Sequence, residues 1–198
     1  MDDFSCFSWI YFLKKKSGVL ITYNQWKTDV WAFFKQEIET EEFSENYTEF
    51  LHSDRGGEYT GEEFRHQLHV DGTIQEFSAP YTLKQNGLAE QMNQTLSTLA
   101  NTMLEDFKLS KSFWTDAMST ITYVTACSPS SALSRGVPYQ VIFNWKVDPT
   151  LFQPFGCPAY ALIPKEHHRG KFKSHGQRCI MLGYTYGQQA YKLLDLEQ

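Results

Sequence analysis

The spacing of apolar residues along this chain alternates between the period of a strand and that of a helix. After a turn at Asp2-Asp3-Phe4-Ser5, the run Phe7-Ser8-Trp9-Ile10-Tyr11-Phe12-Leu13 is aromatic and β-branched and stops at Lys14-Lys15-Lys16. That composition predicts a buried strand. Trp26, Val30, Phe33, Phe34 and Ile38 then recur at helical spacing and predict a helix over residues 22–38. A short strand over 48–52 runs into Ser53-Asp54-Arg55-Gly56-Gly57, where the glycine pair breaks it. Residues 61–70 predict a short helix with Phe64 and Leu68 inward. Residues 73–77 predict another strand, ended by Ser78-Ala79-Pro80.

Past a glycine-containing loop at 82–87, Leu88, Met92, Leu96, Leu99 and Met103 form the apolar stripe of a long helix over about 88–107. Residues 111–127 predict a further helix, closed by Pro129. Beyond Pro149 the pattern changes. Short alternating segments at 159–163, 179–183 and 190–194 are separated by turns containing Gly, Pro and His, and read as a small β-barrel. The boundary falls near 147–152, which gives domains of 1–148 and 149–198.

Composition narrows the classes. With 198 residues, 41% hydrophobic and 16% aromatic, the chain has material for one full core and part of a second, so disorder is not expected. No apolar run approaches the ~20 residues of a membrane helix, so no membrane partner is expected. The first residues have neither the basic flank nor the apolar stretch of a signal peptide, which points to a nuclear or cytoplasmic protein. Cys6, Cys127, Cys157 and Cys179 form no C-x-x-C pair and are expected as buried free thiols. With His167, His168 and His175 they lack zinc-site spacing, and these histidines read as loop and barrel residues.

The net charge of −5 is not the basic footprint usual for a nucleic-acid binder, but it is unevenly placed. Residues 151–198 carry Lys165, Arg169, Lys171, Lys173, Arg178 and Lys192 against Glu166, Asp195 and Glu197, a net +3. The first 150 residues therefore hold −8, much of it in Glu37, Glu39, Glu41, Glu42, Glu45 and Glu49, which reads as a solvated helix end and loop.

Two carboxylates stand out by position. Asp54 follows a strand directly, and Glu90 lies in the first turn of the long helix; 35 residues separate them. A carboxylate at a strand's C-terminal end and one at a helix start can converge on one divalent cation. Hard oxygen ligands of that kind suit Mg²⁺ or Mn²⁺. Spacing alone marks nothing among 23 acidic residues; the flanking residues decide. Leu51-His52-Ser53-Asp54-Arg55-Gly56-Gly57-Glu58-Tyr59 and Ser78-Ala79-Pro80-Tyr81-Thr82-Leu83-Lys84-Gln85-Asn86-Gly87-Leu88-Ala89-Glu90-Gln91-Met92-Asn93-Gln94-Thr95-Leu96 together resemble the integrase core of copia-type retrotransposons. The likeness continues through Lys111-Ser112-Phe113-Trp114, Phe155-Gly156-Cys157-Pro158-Ala159-Tyr160 and Leu182-Gly183-Tyr184, so it covers essentially the whole chain.

The resemblance implies an α/β, RNase H-like integrase core, a mixed five-stranded sheet with helices on both faces, followed by a small SH3-like β-barrel. It implies that Asp54 and Glu90 are the second and third acids of a catalytic triad that binds two Mg²⁺ or Mn²⁺ ions. The family inserts element cDNA into host DNA, each 3′-hydroxyl attacking a target phosphodiester. DNA is thus the implied partner, with self-association and no small-molecule cofactor. Asn93 and Gln94 share the polar face of Glu90 with Ser97 and Asn101, where phosphate and base contacts are expected. Lys84, Gln85 and Asn86 in the loop, and Lys165, Arg169, Lys171 and Lys173 behind the core, are the other expected nucleic-acid contacts.

The chain departs from the family pattern in places. Gln91 and Gln94 replace arginines and Leu83 replaces a proline, which removes phosphate-binding charge and loop stiffness. The first triad acid is not found: Asp2 and Asp3 match a hairpin turn rather than the first core strand. The expectation is an N-terminally truncated core lacking its central strand and inactive alone. The alternatives are a non-catalytic nucleic-acid-binding or assembly module and a structural relic on the same fold.

Overall fold

The computed structural model of the chain describes residues 1–37, 50–77, 87–167, 174–185 and 190–196. They form two compact units, one of Tyr11–Asn93 and one of Met1–Ile10 with Gln94–Gln198.

In the Tyr11–Asn93 unit, a 3₁₀ turn over Lys16–Gly18 leads into α1, Val19–Glu37. The helix thus starts three residues before its expected beginning, because Val19 already donates to the Lys16 carbonyl. Strand β1, Phe50–Ser53, is followed by α2, Gly57–Thr60, and α3, Glu62–Val70, before β2, Ile74–Phe77. β1 and β2 pair in parallel with Phe50 opposite Ile74 and Ser53 opposite Phe77. A parallel pair needs a crossover, and α2 and α3 supply it. Phe64 and Leu68, one turn apart on α3, are almost fully buried, as their spacing predicts. They pack with Val19 and Tyr23 of α1, and Leu51, Trp26 and Tyr59 border this core. Burying each such side chain contributes about 1.5–3 kcal/mol. A second tie joins α1 to the end of α3, where Lys27 Nζ lies 2.6 Å from Asp71 Oδ2 and Gln67 donates to Asp71 Oδ1 at 2.9 Å.

Helix α4, Gly87–Asp106, begins in this unit and continues in the other. There follow a 3₁₀ turn over Lys111–Phe113, then α5, Trp114–Ala126, and α6, Pro138–Phe143. Strands β3, Pro158–Leu162, β4, Gly176–Tyr184, and β5, Tyr191–Asp195, form an antiparallel sheet in that order. Its core joins Ala100 and Leu104 of α4, Ala117 of α5, Leu182 of β4, and Phe155, which precedes β3.

Three expectations need correction. Residues 7–13 are not a strand. Aromatic and β-branched composition reports burial as readily as strand backbone, and here it reports a single anchor: Phe7 is fully buried, its ring edge-on to Phe143 of α6 at 5.6 Å, whereas Phe12 and Leu13 are exposed. The turn before it does form. Asp2 N–H donates to the Phe7 carbonyl, Cys6 N–H to the Asp2 carbonyl, and the Ser5 amide and hydroxyl both donate to Asp2 Oδ2. On α4, Leu99 is exposed, whereas Leu96, Ala100 and Leu104 are buried. The core runs down that helix in steps of four, and Ala100 is too small to register in an apolar stripe. Among the thiols, Cys127 and Cys179 are buried, but Cys6 and Cys157 only partly so.

The expected helix over 111–127 and the three late strands form within a few residues of their expected bounds. Of the mixed sheet implied by the resemblance, the described residues contain the parallel pair β1–β2. No helix among them is long and apolar enough to cross a membrane. Residues 38–49, 78–86, 168–173, 186–189 and 197–198 lie outside the described residues, and with them all of the acidic run beyond Glu37.

Candidate active site

Asp54 leaves the C-terminal end of β1 and is exposed. Its carboxylate is oriented by the chain that follows: Gly56 N–H donates to Asp54 Oδ1 at 2.9 Å. Tyr59 N–H then donates to the Gly56 carbonyl at 3.0 Å and starts the single turn of α2. Gly56 has φ −55° and ψ 142°, which any residue adopts, so backbone freedom does not explain the glycine. A Cβ there would lie 2.8 Å from the Glu58 carboxylate and 2.9 Å from Asp54 Oδ1, so a larger residue would displace these two side-chain ends.

Glu58 therefore folds back toward Asp54, and Lys16 meets it at 3.0 Å. The Glu58 carboxyl is held below its ordinary value by its own backbone amide and by Lys16. The Lys16 ammonium is raised in turn, mainly by its hydrogen bond and charge interaction with Glu58 and further by Asp54. Burial is the main cause raising the Tyr59 hydroxyl, with Asp54 and Glu58 adding to it. Behind this group, the Gln75 side chain of β2 donates to Ser53 Oγ at 3.2 Å and to the Tyr59 carbonyl at 2.9 Å. It thereby ties the end of β1 to α2.

Glu90 lies in the first turn of α4 and is exposed, as are Asn93, Gln94, Ser97 and Asn101 on the same face. Lys165 opens a 3₁₀ turn, Lys165–His167, and is exposed. Lys84, Gln85, Asn86, Arg169, Lys171 and Lys173 lie outside the described residues. Among the described residues no three His, Cys, Asp or Glu side chains gather as a metal cage. The donor chemistry at Asp54 still fits a hard cation: an exposed carboxylate, fixed by one amide, beside a second carboxylate.

Sequence reasoning missed Lys16, Glu58 and Gln75 as members of this group. Glu58 stands inside the motif around Asp54, and that was a usable signal. Lys16 and Gln75 lie far away in sequence and carried none.

Along nearly its whole length the chain aligns with transposon proteins. It is 36% identical over 195 residues, 98% of this chain, to the Retrovirus-related Pol polyprotein from transposon TNT 1-94 of Nicotiana tabacum. It is 29% identical over 99% of its length to the corresponding polyprotein from transposon RE2 of Arabidopsis thaliana. The chain belongs to the retrovirus-related Pol polyproteins of transposons. It spans 14% and 13% of those two Pol relatives. Residues 157–198 match the retroviral polymerase SH3-like domain, which places that match on β3, β4 and β5. A chain of the simian T-cell lymphotropic virus intasome in complex with PP2A regulatory subunit B56 gamma aligns with a TM-score of 0.44 and 14% identity, covering 87% of this chain and 61% of that one.

Proposed function

We propose that the chain is the integrase segment of a retrotransposon Pol polyprotein, with a catalytic core over 1–148 and an SH3-like domain over 149–198. The parent activity is insertion of element cDNA into host DNA by metal-dependent phosphoryl transfer. The observation that carries the reading is Asp54: an exposed carboxylate at the end of a parallel strand, fixed by the Gly56 amide, within a chain that aligns over 98% of its own length with part of a Pol polyprotein.

Asp54 and Glu90 are the proposed ligands for Mg²⁺ or Mn²⁺. A pair of such ions supplies the charge that activates a 3′-hydroxyl and stabilises the departing oxygen. Asp54 presents its oxygens in one orientation because Gly56 N–H holds Oδ1. Glu90, near the start of α4, brings the exposed Asn93 and Gln94 onto the same face for phosphate contacts. Lys84, Gln85 and Asn86, with Lys165, Arg169, Lys171 and Lys173, form the proposed DNA contacts. This reading gives Asp2 no metal role; its Oδ2 accepts from the Ser5 amide and hydroxyl within the opening turn. With Asp54 and Glu90 as its two assigned ligands, the chain alone is expected to lack strand transfer.

Mn²⁺ titration followed by the electron paramagnetic resonance of the free ion tests the site. Asp54→Asn and Glu90→Gln should each weaken binding tenfold or more, and unchanged binding in both would remove the assignment. Metal-dependent joining of a cDNA-end oligonucleotide by this chain, lost on Asp54→Asn, would show that Asp2 or Asp3 completes the ligand set.

A further inference from the structure

Glu58 is an unusual neighbour for Asp54. Two carboxylates repel, and an exposed glutamate on a one-turn helix could point to water. Instead its side chain is only 13% exposed and lies over Gly56, within 2.8 Å of where a Cβ would stand, while Asp54 Oδ1 lies 2.9 Å from the same point. The two carboxylates can be no farther apart than those two distances together. A cation already offsets the repulsion: Lys16 Nζ lies 3.0 Å from Glu58 Oε1 and is itself 84% exposed, so its hold on Glu58 is open to solvent and exchangeable.

We propose that Glu58 and Lys16 act as a positioning pair for Asp54. Glu58 concentrates negative charge beside the Asp54 carboxylate, and Lys16 keeps that charge partly neutralised until a divalent cation is bound. The proposal rests on the reading of Asp54 as a cation ligand. Its physical content is a sign. Removing the Lys16 charge leaves the two carboxylates uncompensated and strengthens cation binding. Removing the Glu58 charge weakens it, both by losing attraction and by freeing Lys16 to pair with Asp54. An ordinary surface ion pair, worth about 0–1 kcal/mol, would do neither.

The test is Mn²⁺ binding to the full 198-residue chain, read by electron paramagnetic resonance at low salt. Lys16→Gln should tighten binding roughly three- to tenfold, and Glu58→Gln should weaken it by a similar factor. The double variant Lys16→Gln/Glu58→Gln should return toward the parent value, which separates charge from misfolding. Glu58→Asp should recover part of the loss. Equal affinities in Lys16→Gln, Glu58→Gln and the parent, with binding still lost in Asp54→Asn, would overturn the positioning pair alone. Unchanged binding in Asp54→Asn would overturn the underlying site and the pair with it.

Discussion

The Thr120 hydroxyl on α5 donates a 3.1 Å hydrogen bond to the main-chain carbonyl of Leu182 on β4, and the contact is buried. It sits beside the irregular register between Met181 and Gly183 where β4 meets β5. Gly183 has φ +145°, and a Cβ there would stand 2.7 Å from Thr120 Oγ1. Helix and sheet approach at this point because one residue offers a hydroxyl and the other has no side chain.

Gly183→Ala should therefore cost about 2–4 kcal/mol, from backbone strain together with the clash at Thr120. Thr120→Ala alone should cost about 1 kcal/mol for the lost hydrogen bond. In the double variant the second change makes room for the first, so the costs should add to less than their sum. Urea unfolding of the four proteins checks this, and strict additivity would show that the two residues do not meet.

How much of this was legible in the sequence depends on what each element used as its signal. Helices α3 and α5 announced themselves, since Phe64 and Leu68 repeat at i, i+4 and Pro129 stands just past the second helix. Strands β3 to β5 were visible through short alternation between turns. The run at 7–13 misled because a segment anchored by one buried ring, Phe7, has the composition of a core strand although Phe12 and Leu13 stay exposed. Helix α6, at six residues, is too short to show a period. At the site, Asp54 was found by its motif. Gln75 was not, because its hydrogen bonds to Ser53 and Tyr59 exist only once β2 lies beside β1.

Alkaline pH should weaken the fold through Cys127. Burial raises this thiol from 9.0 to about 11, with the Tyr123 hydrogen bond opposing slightly. The folded state thus favours the neutral thiol. Its contribution is fully present below about pH 9 and is lost as pH rises toward 11, on the order of 2 kcal/mol in all. Unfolding midpoints measured between pH 7.5 and 10.5 should fall more steeply for the parent than for Cys127→Ala. In the native state near pH 8, Cys127 should also resist a thiol reagent that labels it quickly in denaturant. Rapid native labelling would contradict its burial.

DNA binding by the purified chain should be electrostatic and come mainly from the basic stretch after residue 164. Replacing Lys165, Arg169, Lys171 and Lys173 together with Gln removes four cations. If all four meet phosphates, the slope of log K against log salt should fall in magnitude by roughly 3–4. Sequence-independent competitors should affect the parent and Asp54→Asn alike. A slope unchanged in the quadruple variant would move the DNA contacts elsewhere on the chain.

The last expectation concerns association. Among the described residues the parallel sheet has two strands, β1 and β2. On one face, Phe50 and Ile74 stand opposite each other and are 44% and 54% exposed, with His52 Nδ1 3.3 Å from Glu76 Oε2 beside them. An exposed strand edge is a template for pairing with another chain, and lysine on such a strand is one of the ways proteins block it. The purified chain should therefore self-associate as its concentration rises, and sedimentation velocity over a hundredfold range would show it. Ile74→Lys places a charge on the exposed face without touching the buried Phe64 and Leu68 core. It should shift the population toward monomer while leaving the unfolding free energy within about 0.5 kcal/mol of the parent, as usual for surface changes. Monomers throughout in the parent, or association untouched by Ile74→Lys, would show that this face is not the one that pairs.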